Sequence, residues 1–316
     1  MSERRCRYVY GPVPSRRLGH SLGIDLVPFK TCSYDCIYCQ LGRTTNKTIK
    51  REEYAVIDDV LAELDRKLSE GIVPDYISLA GSGEPTLNIR IGELIGKIKK
   101  MTRVPVAVLT NGSLLWLTEV REALMEADVV LPSLDAGDNL LFRHVNRPHK
   151  DISFNTMLQG LIDFTHEFPG SVWLEVFLID GVTGILSEVD KISTFIRRIR
   201  PGKVHLNTVA RPPAESFAFP VPWKQMKQFA SVLGSKAEVI NEGGPGDLSA
   251  PTPPGITGAD ILDLLSRRPC TVQDVSTGLG LPPPQVSKKL QELLQKGSVK
   301  TARRDSVLYF EAVRSR

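Results

Sequence analysis

Three cysteines lie close together near the N-terminus, in the segment KTCSYDCIYCQLG. Cys32, Cys36 and Cys39 have the spacing Cys-x3-Cys-x2-Cys, so three thiolates on one tight loop can converge on a single metal centre. Thiolates are soft ligands that favour zinc or an iron–sulfur cluster. Closed structural zinc sites usually have four ligands, whereas this loop contains no fourth cysteine and no histidine. A centre with three protein ligands keeps one coordination position open, which suits chemistry.

A structural zinc site is the alternative, and its fourth ligand would be a distant histidine such as His20 or His144. The chain has five cysteines, an odd number, and the clustering of three of them favours metal binding or catalysis over disulfides. The other two, Cys6 and Cys270, are far apart in the sequence. We expect each of these two to be a small buried or incidental residue.

The first part of the chain alternates predicted strands and helices. Short apolar segments predict six buried strands, at 22–27, 75–81, 105–112, 128–134, 171–179 and 203–209. Apolar stripes predict helices at 54–69, 89–101, 118–126, 153–166 and 186–199. This alternation predicts parallel βαβ units. The predicted fold class is therefore α/β, as a partial (β/α)6 barrel, with an open doubly wound sheet as the alternative. In both, function lies at the C-terminal ends of the strands.

A glycine- and proline-rich segment, residues 242–257, predicts a linker between a domain at 1–241 and a smaller one at 258–316. In the smaller domain, three helical stripes precede two β-prone segments around the turn ARRD. Thr271 is positioned to cap the second helix, with Asp274 completing a capping box. The pattern predicts a winged helix-turn-helix.

The excess positive charge lies in this smaller domain. The formal net charge is +4, and residues 251–316 carry ten Lys and Arg against six Asp and Glu. Such an asymmetry favours nucleic acid as a partner, and a protein or peptide is the alternative. The candidate phosphate contacts lie on the third helix and in the turn of the hairpin: Lys288, Lys289, Arg303 and Arg304.

Composition and segment hydropathy narrow the class of protein. The chain is 41% hydrophobic and 24% charged, which is typical of a globular protein and argues against disorder or a fibrous repeat. No segment approaches the roughly 18 apolar residues of a membrane span. The N-terminal segment MSERRCRYVYGPVPSRR lacks the apolar core of a signal peptide. We therefore expect a cytoplasmic protein without membrane contact.

The cysteine segment resembles the signature of the radical S-adenosylmethionine (SAM) superfamily, because the aromatic Tyr38 directly precedes the last cysteine. The resemblance implies that the three cysteines bind three irons of one 4Fe-4S cluster, and that the fourth iron binds SAM. An external electron donor such as flavodoxin or ferredoxin would reduce the cluster. SAM would then be cleaved to methionine and a 5′-deoxyadenosyl radical, which abstracts hydrogen from a substrate.

Later strand ends match the same family in order. AGSGEP resembles the family's Gly-Gly-Glu-Pro motif, although Ser82 replaces a glycine. LTNG resembles its Thr-Asn-Gly turn, SLD resembles the segment that lends a serine to SAM, and residues 178–181 resemble the loop near adenine. The cofactor-binding residues that the resemblance implies are Tyr38, Ser82, Gly83, Glu84, Thr110, Asn111, Ser133 and Asp135.

Two longer segments, the first ending in the cysteine loop and the second HLNTVARPPAE, resemble a subgroup of iron–sulfur oxidoreductases grouped with the wyosine-forming tRNA enzymes. Those tRNA enzymes hold a second cluster on further cysteines. Cys6 and Cys270 cannot supply the three or four ligands of another cluster. We therefore expect one cluster only, and chemistry other than wyosine formation.

Several basic residues are candidates for substrate contacts near the predicted site. Arg211 is suited to clamp a phosphate or carboxylate or to form an internal ion pair. The pair Arg16 and Arg17 is expected to be solvated or ion-paired. A basic lip around the substrate and an ordinary exposed loop are both open for the segment FRHVNRPHK, which contains Arg143, His144 and Arg147. No residue stands out as a general acid or base.

The sequence favours a radical SAM enzyme that modifies RNA docked by the winged helix. The same enzyme acting on a peptide or protein, or activating a glycyl-radical enzyme, is the second hypothesis. A DNA-binding regulator that uses the cluster as a redox sensor is the third. The near-complete set of SAM motifs argues against the third, because a sensor would not need them.

Overall fold

Eight strands form one sheet in the computed structural model, which describes residues 8–15, 17–71, 73–240, 257–304 and 307–313. Their bounds are β1 (Val9–Ser15), β2 (Gly19–Ile24), β5 (Tyr76–Leu79), β6 (Val106–Leu109), β7 (Val129–Leu131), β8 (Ser171–Leu178), β9 (Lys203–Thr208) and β10 (Ala237–Val239). Two further short strands, β3 (Thr31–Cys32) and β4 (Asn46–Lys47), pair with each other.

The order across the sheet is β1-β2-β5-β6-β7-β8-β9-β10. Strand β1 is antiparallel to β2, and every other neighbouring pair is parallel. The spatial order therefore follows the chain order, whereas a doubly wound sheet reverses its order at a switch point. This finding contradicts the doubly wound alternative and agrees with a partial barrel, whose two edges are β1 and β10.

All six predicted parallel strands are present, with shorter bounds at most ends. The edge strands β1 and β10 were not predicted. Strand β1 contains two prolines in VYGPVPS, and proline is tolerated in a sheet mainly on edge strands. Strand β10 has only three residues, too few to give a recognisable pattern.

Helices cover one face of the sheet. They are α1 (Ile57–Ser69), α2 (Ile91–Met101), α3 (Thr118–Leu124), α4 (Asn139–Val145), α5 (Phe154–Glu167), α6 (Leu186–Ile199) and α7 (Trp223–Leu233). The five predicted stripes correspond to α1, α2, α3, α5 and α6, whereas α4 and α7 were missed. In the part of the chain that the structure describes, no helix is long and apolar enough to cross a membrane.

The main core lies between the sheet and these helices. Strand β8 shows why: Val172, Leu174, Val176 and Leu178 are buried, and the residues between them are partly exposed. Successive side chains of a strand point to opposite faces, so the buried set faces the helices. The residues of β5, β6, β7 and β9 are instead buried almost without interruption, as expected for buried strands. Among the six predicted strands, β8 alone shows the alternation.

The C-terminal unit has its own small core. Its elements are α8 (Gly258–Arg267), α9 (Val272–Leu279), α10 (Pro283–Gln295) and the antiparallel pair β11 (Val299–Arg304) and β12 (Val307–Ala312). The capping box of Thr271 and Asp274 is present at the start of α9, as predicted. Three helices followed by a hairpin is the predicted order of elements, and the assignment as a winged helix-turn-helix stays a prediction.

The C-terminal unit also contacts the larger domain at two places. On one side Val13 of β1 packs against its core. On the other side, the Tyr309 hydroxyl donates to the Ala210 carbonyl at 3.1 Å, and the Arg304 guanidinium donates to the Ala218 carbonyl at 2.7 Å. The unit therefore contacts both the β1 edge and the segment that follows β9. Most of the predicted linker, together with Cys6 and Arg16, lies outside the described residues.

Candidate functional site

The three clustered cysteines lie on a loop beyond the C-terminal end of β2. Cys32 ends β3, and the loop that carries Cys36 and Cys39 packs against the end of α4. The Ile37 amide donates to the Val145 carbonyl at 2.9 Å, which fixes this contact. All three thiols are free and partly buried. The three predicted metal ligands therefore lie on one loop, at the end of the sheet where function was expected.

Each of the three sulfur atoms has a nitrogen donor from a different part of the chain. Lys30 Nζ lies 3.1 Å from Cys39 Sγ. Asn111 Nδ2 lies 3.5 Å from Cys32 Sγ, and Asn146 Nδ2 lies 3.6 Å from Cys36 Sγ. Such donors stabilise negative charge on sulfur, and they tune the potential of an iron–sulfur cluster.

Two of these donors, Lys30 and Asn146, were missed from the sequence. Lys30 lies two residues before the first cysteine and has a positive φ of 57°, which a sequence pattern does not reveal for a lysine. Asn146 caps the C-terminus of α4, a helix that was itself missed. Recognising its helix would have shown Asn146 as a polar residue at a helix end near the cysteine loop.

Burial disfavours the thiolate form of two of the three cysteines, Cys32 and Cys36. It raises the pKa of the Cys32 thiol to about 12, and the nearby Glu84 carboxylate adds to the rise. Burial also raises the pKa of the Cys36 thiol well above its usual range, with Asp135 as the next cause. A metal that binds these sulfurs must therefore displace their protons.

The histidines considered for a structural zinc site lie elsewhere. His20 is at the start of β2, at the opposite end of the strand, with its Nδ1 4.0 Å from Asp75 Oδ2. The His144 ring stacks against Phe217 with 6.3 Å between centroids. Within the described ranges, no three His, Cys, Asp or Glu side chains are grouped to hold a single metal ion. Neither histidine is therefore grouped with the cysteines as a fourth zinc ligand.

A buried glutamate joins two of the predicted motifs. Glu84 Oε1 accepts from Thr110 Oγ1 and from Thr86 Oγ1, both at 2.6 Å. Its Oε2 accepts from the Asn111 amide at 2.7 Å. Burial raises the pKa of Glu84, and these hydrogen bonds oppose the rise. The structure thus brings Glu84, Thr110 and Asn111 together, and the carboxylate connects the turn after β5 to the turn after β6.

The turn after β5 also contacts the cysteine strand. Gly83 has no room for a side chain, since a Cβ there would lie 1.9 Å from the Thr31 carbonyl oxygen. The Glu84 amide donates to that same carbonyl at 3.1 Å. Ser82 directs its hydroxyl to the Asp25 carboxylate. The serine that replaces the family's glycine therefore has a protein partner.

A second buried carboxylate, Asp135, lies on the other side of the cysteine loop. It accepts hydrogen bonds from the Tyr38 hydroxyl, from Asn146 Nδ2 at 2.7 Å and from the Phe177 amide at 3.1 Å. Burial raises the pKa of Asp135 to about 6. The Tyr38 ring stacks on Phe177 with 4.0 Å between centroids. Asp135 thereby fixes the position of the Tyr38 ring. Ser133, two residues earlier in the chain, forms an isolated parallel β-bridge with Glu175.

Two of the candidate arginines, Arg17 and Arg211, form internal ion pairs. Arg17 pairs with Glu175 of β8, so of the two expected states, solvated or ion-paired, the structure shows the ion pair for Arg17. Arg211 pairs with Asp274 of α9 at 3.2 Å, so the structure gives it an internal partner instead of a free phosphate clamp.

The segment expected as a basic lip is partly engaged. Arg147 pairs with Glu215 at 2.5 Å, and the His144 ring lies against Phe217. Arg143 is exposed.

Comparison with known proteins identifies the family. Residues 26–192 match the family model described as Radical SAM superfamily. A UPF0026 protein of Methanocaldococcus jannaschii is 38% identical over 237 residues, which are 74% of this chain and 72% of that protein. A protein of Brachyspira hyodysenteriae named GTPase Obg is 38% identical over 300 residues, and the chain spans only 44% of its length.

More distant similarities extend to named enzymes. A probable dual-specificity RNA methyltransferase RlmN of Cytophaga hutchinsonii is 24% identical over 217 residues, covering 66% of this chain and 58% of that protein. The solved structure of a radical SAM methyltransferase from Sphaerobacter thermophilus superposes with a TM-score of 0.50 at 19% identity. It covers 69% of this chain and 65% of its own, and the likeness is one of fold.

The Glu84 network predicts the stability of a variant. Thr110→Val keeps the side-chain shape but removes the donor to Glu84 and the acceptor for the Gly112 amide. Because both partners are buried, we expect the free energy of unfolding to fall by about 1–3 kcal/mol. Urea denaturation followed by circular dichroism measures the change. Thr194→Val is the control, since Thr194 is exposed on α6, and its effect should stay within about 0.5 kcal/mol. Equal urea midpoints for the two variants would contradict the assignment.

Proposed function

The chain belongs to the radical SAM superfamily, and we propose that it is an enzyme that cleaves SAM reductively with one 4Fe-4S cluster held by Cys32, Cys36 and Cys39. The observation that supports this most directly is that each of the three sulfurs has its own N–H donor, from Asn111, Asn146 and Lys30. A cluster held by three cysteines has an iron without a protein ligand, which is where SAM would bind.

When bound and reduced by an external donor such as flavodoxin or ferredoxin, the cluster supplies the electron that cleaves SAM to methionine and a 5′-deoxyadenosyl radical. The residues of the chain hold the cluster and orient the groups around it. Asn111 and Asn146 orient their amides toward sulfur, and Asp135 holds the Tyr38 ring against Phe177. We propose that the turns carrying Ser82, Ser133 and their neighbours form the SAM pocket.

Removal of a single cysteine tests the cluster. We expect Cys36→Ala, after anaerobic reconstitution with iron and sulfide, to lose most of its iron and to form no 5′-deoxyadenosine with dithionite and SAM. Cys270→Ala is the matched control, because Cys270 is buried in the C-terminal unit and its thiol contacts the Arg268 carbonyl. It should keep the iron content and the product yield of the parent chain. Zinc in place of iron, or the absence of 5′-deoxyadenosine from the parent chain, would refute the proposal.

For the substrate, we propose RNA that docks on the C-terminal unit. The distant similarity to an RNA methyltransferase supports an RNA substrate. The net positive charge of residues 251–316 supports their role in docking. Lys288 and Arg303 are exposed. Arg304 is not available in the same way, because its guanidinium donates to the carbonyls of Arg211 and Ala218.

Charge reversal tests the docking surface. We expect Lys288→Glu with Arg303→Glu to weaken binding of bulk transfer RNA and to reduce the slope of its salt dependence by about 2, roughly one for each lost phosphate contact. The control pair is Lys100→Glu with Lys224→Glu, which changes net charge equally at exposed positions of α2 and α7. Filter binding across a salt series provides the measurement. If both pairs weakened RNA binding equally, the RNA affinity would depend on net charge alone and not on the C-terminal unit. RNA affinity unchanged by the first pair would favour a protein or peptide substrate.

A further inference from the structure

One arginine of the C-terminal unit contacts residues of the main sheet and of the loop that follows β2. Arg267 is the last residue of α8, and its guanidinium lies over the Tyr10 ring of β1, 3.7 Å from the ring centroid. Its Nη1 donates to Asp25 Oδ2 at 3.0 Å. The side chains of Arg267 and Asp25 are only 13% and 9% exposed. This ion pair is therefore largely removed from water, unlike the ordinary pairs on the surface.

Both partners of Arg267 hold the turn after β5. The Tyr10 hydroxyl donates to the Ala80 carbonyl at 3.2 Å. The Asp25 carboxylate accepts from the Ser82 amide at 3.1 Å and also from the Ser82 hydroxyl. Through Tyr10 the arginine is thus connected to Ala80, directly before the turn 81–84, and through Asp25 it is connected to Ser82 within that turn.

The packing at this contact is tight. A Cβ on Gly23 would lie 2.0 Å from an atom of the Tyr10 ring, and a Cβ on Gly81 would lie 2.6 Å from the Asp25 carboxyl carbon. Only glycine at these two positions lets Tyr10 and Asp25 lie directly against the backbone. Asp25 therefore packs directly against the backbone of the turn at Gly81, and Tyr10 packs directly against β2 at Gly23.

The turn 81–84 also contacts the segment that leads into the cysteine loop. The Lys30 amide donates to the Ser82 carbonyl at 2.7 Å. The same lysine places its Nζ 3.1 Å from Cys39 Sγ. Contacts thus run without a gap from Arg267 through Asp25, Ser82 and Lys30 to a cysteine sulfur.

The charges explain why an arginine occupies this position. Asp25 is a carboxylate with little access to water, and a buried charge without a partner is strongly unfavourable. Arg267 provides the opposite charge, and its planar guanidinium can stack on an aromatic ring while donating to a carboxylate. A lysine could provide the charge but not the flat stacking group.

We infer that the C-terminal unit is a structural part of the SAM site, and that Arg267 is the positioning residue through which it holds the turn 81–84. The inference rests on the proposed function, because that turn is proposed to bind SAM. The C-terminal unit then has a second role besides docking a substrate, since its contact with β1 and Asp25 through Arg267 sets the geometry of the cofactor pocket.

The test is the affinity of the anaerobically reconstituted full-length protein for SAM, measured by equilibrium dialysis without reductant. We expect Arg267→Ala to raise the dissociation constant about 10- to 100-fold, the range typical of removing a residue that supports the direct ligands of a metal site, while iron content stays at the parent value. The double variant Asp25→Asn with Arg267→Met leaves no unpaired buried charge. It should therefore fold even if Arg267→Ala does not, and should show the same loss.

Tyr309→Phe is the control, because it removes a contact of the same unit with the Ala210 carbonyl, on the side away from the turn. Its dissociation constant should stay within about twofold of the parent value. A loss as large as that of the Arg267 variants would overturn the inference, since any loosening of the unit would then suffice. So would parent-like SAM affinity in the folded double variant. Failure of the parent chain itself to bind SAM would instead refute the proposed function.

Discussion

Three partly buried cysteine sulfurs set the central physical constraint on this site. A thiol removed from water stays protonated, and a pKa of about 12 for Cys32 states how strongly burial disfavours its thiolate. A metal centre on these sulfurs is stabilised only if donors compensate for the lost water. The chain provides one donor per sulfur, and those donors come from the loop before the cysteines, from the end of β6 and from the end of α4. The parallel sheet matters because it brings these three places to one edge.

Two buried carboxylates keep that edge in place. Glu84 binds the turn after β5 to the turn after β6, and Asp135 joins the cysteine loop, α4 and β8. Both have raised pKa values because of burial, and both are surrounded by hydrogen-bond donors. They support the geometry of the site, whether or not they also touch a bound cofactor. The polar residues at the strand ends thus connect to one another before they meet any ligand.

The sequence predicted features that depend on local pattern. The parallel strands, five of the helices and the capping box of Thr271 follow from periodicity and short motifs, and the structure contains them. The cysteine spacing predicted the metal ligands, and that assignment stays a prediction. Features that depend on distant partners were missed. Nothing local marks Lys30 or Asn146 as a donor to sulfur. The contact of Arg267 with Asp25 joins residues 242 positions apart. For the same reason Arg304 was predicted to face a phosphate, whereas it donates to barrel carbonyls.

The most direct test of the account is the electron paramagnetic resonance spectrum of the reduced, reconstituted protein, recorded with and without SAM. A 4Fe-4S cluster on three cysteines has one iron without a protein ligand, and its electronic structure depends on what surrounds it. We predict that the reduced chain shows a cluster signal and that SAM shifts its g values, because the proposed function has SAM bind to that iron. A signal identical with and without SAM, or zinc bound in place of iron, would contradict the account.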